Sequence, residues 1–288
     1  MSNQLCLLAA FAHPDDEGLV TGLFKKYREA GARVALICAT RGEVGEIAPG
    51  TNATHETLGQ VREQELRKAM SYVDVSEIYF LDYRDSGMDG TEENRTPNNF
   101  INTPEDEVAG KVVNLIRTVK PHVLITFDPS GGYGHPDHLK IHGATMTAWA
   151  KAGDASAYPE QFQNGLQPHT PQKLYWTAFS REFFMEIARH MKEAGMAMAQ
   201  FGAFNPERRG LMGVSEADIT TKIDVAAYLE VKRQAWTSHA TQQNPNSIIA
   251  KMPPELFEKF RMTENLVLAE TRLPRVHGVE EDVFAGLG

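Results

Sequence analysis

Short apolar runs alternate along the first half of the chain with longer stretches in which apolar positions recur at helical spacing, the signatures of buried strands and amphipathic helices. Gln4–Ala10, Arg33–Thr40, Ile78–Leu81 and the run His122–Asp128, which ends in a carboxylate, read as strands. Between them Gly18–Ala30, Glu56–Val73 and Glu105–Val119 read as helices. Leu58, Val61, Leu66, Ala69, Met70 and Val73 make one stripe, with charges opposite. Val108, Val112, Leu115, Ile116 and Val119 make another, which Pro121 ends. Strands that alternate with helices imply crossover connections, and so an α/β fold with a Rossmann-like, mostly parallel sheet flanked by helices. No GxGxxG follows the first strand, so this order carries no expectation of a dinucleotide.

Beyond Lys151 the pattern weakens. Gly153–Pro171 reads as an insertion, Lys173–Ala178 as another strand, and Arg181–Ala194 and Asp224–Thr237 as helices. Met191, Met196 and Met198 read as core fillers, and the tail from Arg272 carries no strong signal. The expectation is a single domain over residues 1–288, with a core over 1–150 and a C-terminal elaboration over 151–288. Polar Thr91–Pro104 reads as a long surface loop and a candidate lid.

Composition narrows the class. A chain of 288 residues, 42% hydrophobic and 23% charged, can bury a sizeable core. A formal charge of -9 with no long Lys/Arg run argues against nucleic acid and against an acidic membrane surface as partners. No basic and apolar leader and no stretch of bilayer-spanning length is present, so no membrane partner and a cytoplasmic location are expected. Cys6 and Cys38 lie inside apolar runs and read as core residues. A homo-oligomer is left open.

Chemistry concentrates on two strand-end turns. The first is Phe11-Ala12-His13-Pro14-Asp15-Asp16-Glu17, between a strand and a helix, where open parallel sheets bind ligands. His13 and Asp16 are close enough on such a turn to reach one divalent metal, while Asp15 points elsewhere and is free to face a water. The competing role for both carboxylates is to cap the following helix. The second turn is Gly131-Gly132-Tyr133-Gly134-His135-Pro136-Asp137-His138. Two turns that each carry His-Pro-Asp, one continuing to Asp16 and the other to His138, point to a shared metal site.

Ala12–Glu17 (AHPDDE) with Gly134–His138 (GHPDH) resembles the LmbE-like (PIG-L) family of zinc-dependent N-deacetylases. Tyr83–Met88 (YRDSGM), Gly131–Gly134 (GGYG) and His239–Gln242 (HATQ) are similar to the branch of that family that handles mycothiol and its precursors. The resemblance implies His13, Asp16 and His138 as ligands of one divalent metal, with a fourth position for water. Zinc is expected, although the same donors take iron(II). It also implies Asp15 as general base and Tyr133 as donor to the oxyanion. His135, held by Asp137, becomes proton supplier or electrostatic helper; alternatively Asp15 serves as both base and acid.

Within the same resemblance Arg62 reaches the substrate's polar head, against the competing picture of a helix-face arginine paired with Glu63 or Glu65. Asp85 is the candidate acceptor for sugar hydroxyls, against an Asx turn with Ser86 and Gly87. The acidic loop Arg41–Glu46 resembles one near the family's site, though Glu46 reads as solvated. His239 either approaches the site from the far side or caps its helix. The implied reaction removes the acetyl group from an N-acetylglucosamine-containing small molecule such as N-acetylglucosaminyl inositol. An amidase of mycothiol-type S-conjugates is the alternative, with a metallo-phosphoesterase behind it.

Overall fold

The computed structural model describes residues 4–193, 195, 213–245, 247, 250–275 and 277–287. In chain order the elements are β1 (Cys6–Phe11), α1 (Thr21–Glu29), β2 (Arg33–Thr40), α2 (Leu58–Ser71), β3 (Glu77–Tyr83), α3 (Glu105–Val119), β4 (Val123–Thr126), α4 (Pro136–Lys151), β5 (Lys173–Ala178) and α5 (Arg181–Glu193). β6 (Thr221–Asp224), α6 (Leu229–Ser238), α7 (Pro254–Arg261) and β7 (Thr263–Thr271) follow. The strands form one seven-stranded sheet in the order β3-β2-β1-β4-β5-β7-β6. β1 to β5 pair in parallel, whereas β7 runs antiparallel to both β5 and β6.

Burial explains why the parallel strands are legible as apolar runs. Every residue of β1 and of β4 is buried, because helices cover both faces of the sheet. Leu7, Phe11, Leu36, Ile37, Phe24 and Ile116 meet in the core, each worth roughly 1.5–3 kcal/mol for full burial. α3 shows matching ends: Glu105, Asp106 and Glu107 lie in its first turn, and Lys120 closes it in the left-handed conformation. Arg117, fully buried on α3, organises the insertion by donating to the carbonyls of Ala152, Asp154 and Ala157 and to Gln161.

The structure departs from the sequence reading mainly in the second half. Asp224 ends a strand rather than opening a helix, and β7 is a full strand that the reading did not include. β7 alternates buried and half-buried positions, with Glu264, Leu266 and Leu268 turned inward, and a charge at an inward position breaks the apolar signal. The tail returns to the sheet through buried Glu280, which receives Lys173 Nζ at 2.9 Å and the Tyr175 hydroxyl at 2.7 Å. Thr91–Pro104 is not a lid: Phe100 is fully buried and stacks on Tyr83, and Asn99 donates to Glu93. Met196 and Met198 lie outside the described residues, as does the side chain of Met191.

One feature of the topology positions the site. The chain leaves β1 for β2 on one side and returns to β4 on the other, so the order reverses between β1 and β4. The loops that follow these two strands part there and leave a crevice at their carboxyl ends.

Candidate metal centre

Both motifs land in that crevice. Past the end of β1, the Asp16 carboxylate accepts the His13 N–H at 2.7 Å and folds the segment into a tight turn. His138 enters from the first turn of α4, whose N-cap is His135 and which has Pro136 at its start. A glycine is needed at 131: its φ is +64°, and a Cβ there would lie 2.9 Å from the His138 Cβ.

Three donors converge. His13 Nδ1 lies 3.4 Å from Asp16 Oδ2, His138 Nε2 lies 3.3 Å from Asp16 Oδ1, and the two imidazole nitrogens are 3.3 Å apart. A tetrahedral ion with bonds of ~2.0–2.1 Å separates its ligand atoms by ~3.3–3.4 Å, and these contacts have that spacing, with Asp16 presenting a different oxygen to each ring. Two oxygen acceptors fix the tautomers. His138 Nδ1 donates to Gly131 O at 3.0 Å and His13 Nε2 donates to Asp137 Oδ2 at 3.2 Å, so that each ring, when neutral, turns a lone pair toward the triangle. Phe127 stacks on His138 at 3.9 Å.

The charge balance fits a cation as well. Burial opposes ionisation of Asp16, but the His138 and His13 imidazoles outweigh it and hold its carboxyl well below the usual range. Burial likewise opposes protonation of His13, yet Asp85, Asp137 and Asp16 raise it well above the usual imidazole value. Asp137 Oδ1 is buried without a partner among the described residues. His135 also comes within 4.8 Å of the His13 and His138 ligand atoms. Its Nδ1 accepts the Asp137 N–H at 3.2 Å, so its proton sits on Nε2. Burial and the two neighbouring imidazoles push its pKa down to about 3.

Asp15 stands beside the triangle but belongs to another network. Its φ of 107° lies outside the regions open to L-residues, a strain of roughly 1–3 kcal/mol. Its carboxylate reaches the Arg62 guanidinium at 3.3 Å and lines the cavity in front of the centre. Burial raises its pKa to about 6, against the opposing pull of Arg62.

Several expected contacts are corrected by the geometry. Asp137 does not hold His135 with its carboxylate; that group holds His13 and accepts the Ser86 N–H at 3.0 Å. Arg62 faces neither solvent nor Glu63 or Glu65. It is buried and donates to Gly42 O at 3.1 Å and Pro14 O at 2.5 Å, so it buttresses the turn from behind. Gly42 and Gly45 permit this, since a Cβ at Gly42 would lie 2.1 Å from Arg62 Nη1. Asp85 is buried as well, with Oδ1 3.5 Å from His13 Nε2 and bonded to the Gly87 N–H at 2.9 Å, so the Asx turn forms and no face is left for a sugar.

One participant was missing from the sequence reading of the site. Buried Glu17, the last residue of AHPDDE, accepts the Asp15 N–H at 2.9 Å and His239 Nε2 at 2.6 Å. The signal was present: a carboxylate two positions into an apolar helix start needs a buried partner. His239 does approach from the far side.

The cavity in front of the centre, about 280 Å³, begins at Asp15, Asp16, Tyr133 and His138 and continues between β5, α5, α6 and α7. Tyr133 stands edge-on to His138 at 4.9 Å, and burial pushes its hydroxyl above the usual range, so it stays protonated. Deeper in, Phe179, Phe183, Phe260 and Trp236 form an aromatic wall, with Phe183 stacked on Phe260 at 3.9 Å.

An imidazole–carboxylate cluster at the switch point of a parallel sheet, with a second carboxylate beside it, is the donor set that a metal-dependent hydrolase uses. The family model described as GlcNAc-PI de-N-acetylase, PIG-L, matches residues 8–149. The "1D-myo-inositol 2-acetamido-2-deoxy-alpha-D-glucopyranoside deacetylase" of Rhodococcus erythropolis is 37% identical over 98% of this chain and 97% of its own length. The chain belongs to the PIG-L family.

Among solved structures, the N,N'-diacetylchitobiose deacetylase of Pyrococcus horikoshii superposes with a TM-score of 0.61 at 18% identity, over 92% of this chain and 83% of that one. GalB, a 4-carboxy-2-hydroxymuconate hydratase from Pseudomonas putida, also reaches 0.61, at 14% identity over 95% of this chain and 99% of that one. One fold thus carries two reactions, and the fold alone does not select between them.

Proposed function

We propose that this protein removes the acetyl group from an N-acetylglucosamine-containing small molecule, N-acetylglucosaminyl inositol being the leading candidate, with one zinc ion held by His13, Asp16 and His138. The observation that carries the reading is the triangle of donors at 3.3–3.4 Å with Asp15 unligated beside it. The substrate class follows the name of the Rhodococcus relative. When bound, zinc supplies Lewis acidity at the amide carbonyl and lowers the pKa of water toward ~7; iron(II) suits the same donors.

The chain's own groups divide the remaining work. Asp15, with a pKa of about 6 in the metal-free protein, is mostly ionised at neutral pH and near the range suited to a general base, so it takes the proton of the attacking water. The tetrahedral oxyanion meets the Tyr133 hydroxyl and the Nε2–H of His135. His135 is neutral, so it donates a hydrogen bond rather than holding a proton for the leaving amine. That proton returns from Asp15. Asp137, Asp85 and Arg62 act from behind, on His13 and on the Asp15 turn.

The aromatic wall favours a second reading, an amidase for amino-sugar conjugates with an apolar arm, such as S-conjugates of a mycothiol-type thiol. Phe183 and Phe260 offer such an arm a stacking surface, which a fully hydroxylated inositol does not require. Amine release from N-acetylglucosaminyl inositol, N-acetylglucosamine and an S-benzyl conjugate, with metal determined on the same sample, tests both. About one metal per chain with turnover of the first supports the deacetylase; turnover of the conjugate alone replaces it with the amidase. A full metal site with no amine from any of the three overturns both.

A further inference from the structure

Resting on the hydrolase reading above, the geometry points to Glu17 and His239 as a positioning pair that clamps Asp15 in its high-energy backbone conformation and so aims the base at the reacting centre. Among the described residues five non-glycine residues have positive φ, and four of them, Asp74, Asp82, Lys120 and Tyr158, fall between 49° and 60°, the left-handed well that L-residues visit. Asp15 at 107° is outside it. A backbone held there persists only where its surroundings over-determine it.

Those surroundings are visible. The Asp15 N–H is taken by Glu17 Oε2 at 2.9 Å, and the Asp15 carbonyl by the Gly18 N–H at 3.0 Å. Glu17 can hold its end only while its own carboxylate is fixed, and His239 Nε2 fixes it at 2.6 Å, from 222 residues along the chain. Glu17 is 2% and His239 1% exposed, so water does not compete for either. His239 Nδ1 has no partner among the described residues, which makes Glu17 the ring's one hydrogen-bond anchor there.

The imidazole is itself carried on a braced loop. Thr241 donates its N–H and hydroxyl to Glu65 on α2, at 2.8 and 2.5 Å, and accepts the Ala48 N–H at 2.8 Å. Through this pair the C-terminal half reaches the centre. It steadies the one carboxylate that must remain unligated.

A purely structural ion pair would show itself as lost stability or lost metal, equally with or without Asp15, so the test is a double-mutant cycle. His239→Ala, with its pocket emptied, is expected to lower kcat roughly tenfold to a hundredfold, with KM and metal content within about twofold of wild type. His239→Gln, which keeps an N–H at the reach of Nε2, restores most of the rate. In an Asp15→Ala background, His239→Ala costs less than about twofold more. His239→Asn, too short to reach Glu17, replaces the alanine variant if that one does not fold. Crystal structures of the metal-free variants read the clamp without activity: Asp15 leaves the region near 107° in His239→Ala and keeps it in His239→Gln. An equal loss in the Asp15→Ala background, or an unchanged Asp15 φ without the imidazole, overturns the proposal. If wild-type protein releases no amine from any substrate the hydrolase reading fails, and the metal-free structures still decide the clamp.

Discussion

His13-Pro14-Asp15 and His135-Pro136-Asp137 are the same three residues at the ends of neighbouring strands, yet the fold gives them opposite placements. In the first, the histidine faces the metal triangle and the aspartate is left free in the cavity. In the second, the histidine stays outside the triangle as a helix N-cap, and the aspartate is buried behind His13 of the other turn. The difference lies in the backbone. Pro136 starts a regular α-helix, which carries Asp137 inward and His138 toward the triangle, whereas Pro14 leads into a strained residue and a short 3-10 turn. A motif therefore names the chemistry available at a turn, and the local helix geometry decides which member performs it.

The largest effect expected from breaking the comparison is at the shared histidines. His13→Ala or His138→Ala should take metal from about one per chain to near zero and abolish turnover, read by elemental analysis of purified protein. A full metal complement in His138→Ala would remove it from the triangle.

Next come the two aspartates. Asp15→Ala should keep its metal and lose ~10²–10⁴ in kcat. Asp137→Asn, which weakens the acceptor behind His13, should lower metal affinity ~10–100-fold and recover its rate when metal is saturating. If the two phenotypes exchange, so do the assigned tasks.

A smaller loss is expected behind the first turn. Gly42→Ala forces a Cβ to 2.1 Å from Arg62 Nη1 at a φ of +66°, and should cost about 1–3 kcal/mol in urea unfolding of the metal-free protein.

The smallest effect lies outside both turns and calibrates them. Burial lowers the pKa of His169, although its bond to Pro121 O at 2.7 Å works the other way. The folded protein thus prefers neutral His169: that stability is fully present above the unfolded value of ~6.5 and is lost as pH falls below it toward the folded pKa. The Tm difference between wild type and His169→Gln should shrink from pH 7.5 to pH 5.5, roughly one unit either side of the unfolded imidazole value.

The strand and helix alternation of the first half was legible from sequence because it depends on local information, apolar period and turn residues within a few positions; His13, Asp16 and His138 were named together because two distant turns repeat His-Pro-Asp in a pattern that resembles a known family, not because any local window joins them. Asp15 was separable from Asp16 on local grounds, since adjacent side chains on a tight turn diverge. The tertiary structure alone decided the rest. Arg62 and Asp85 moved from the substrate side to the rear of the centre because glycines at 42 and 45 admit a guanidinium and His13 Nε2 draws carboxylates. β7 was hidden because inward Glu264 is neutralised by Lys232 and by the N–H groups opening α1, contacts that no sequence window contains. The bond from His239 to Glu17 joins residues 222 apart, and only packing of the whole chain can bring such a pair within 2.6 Å.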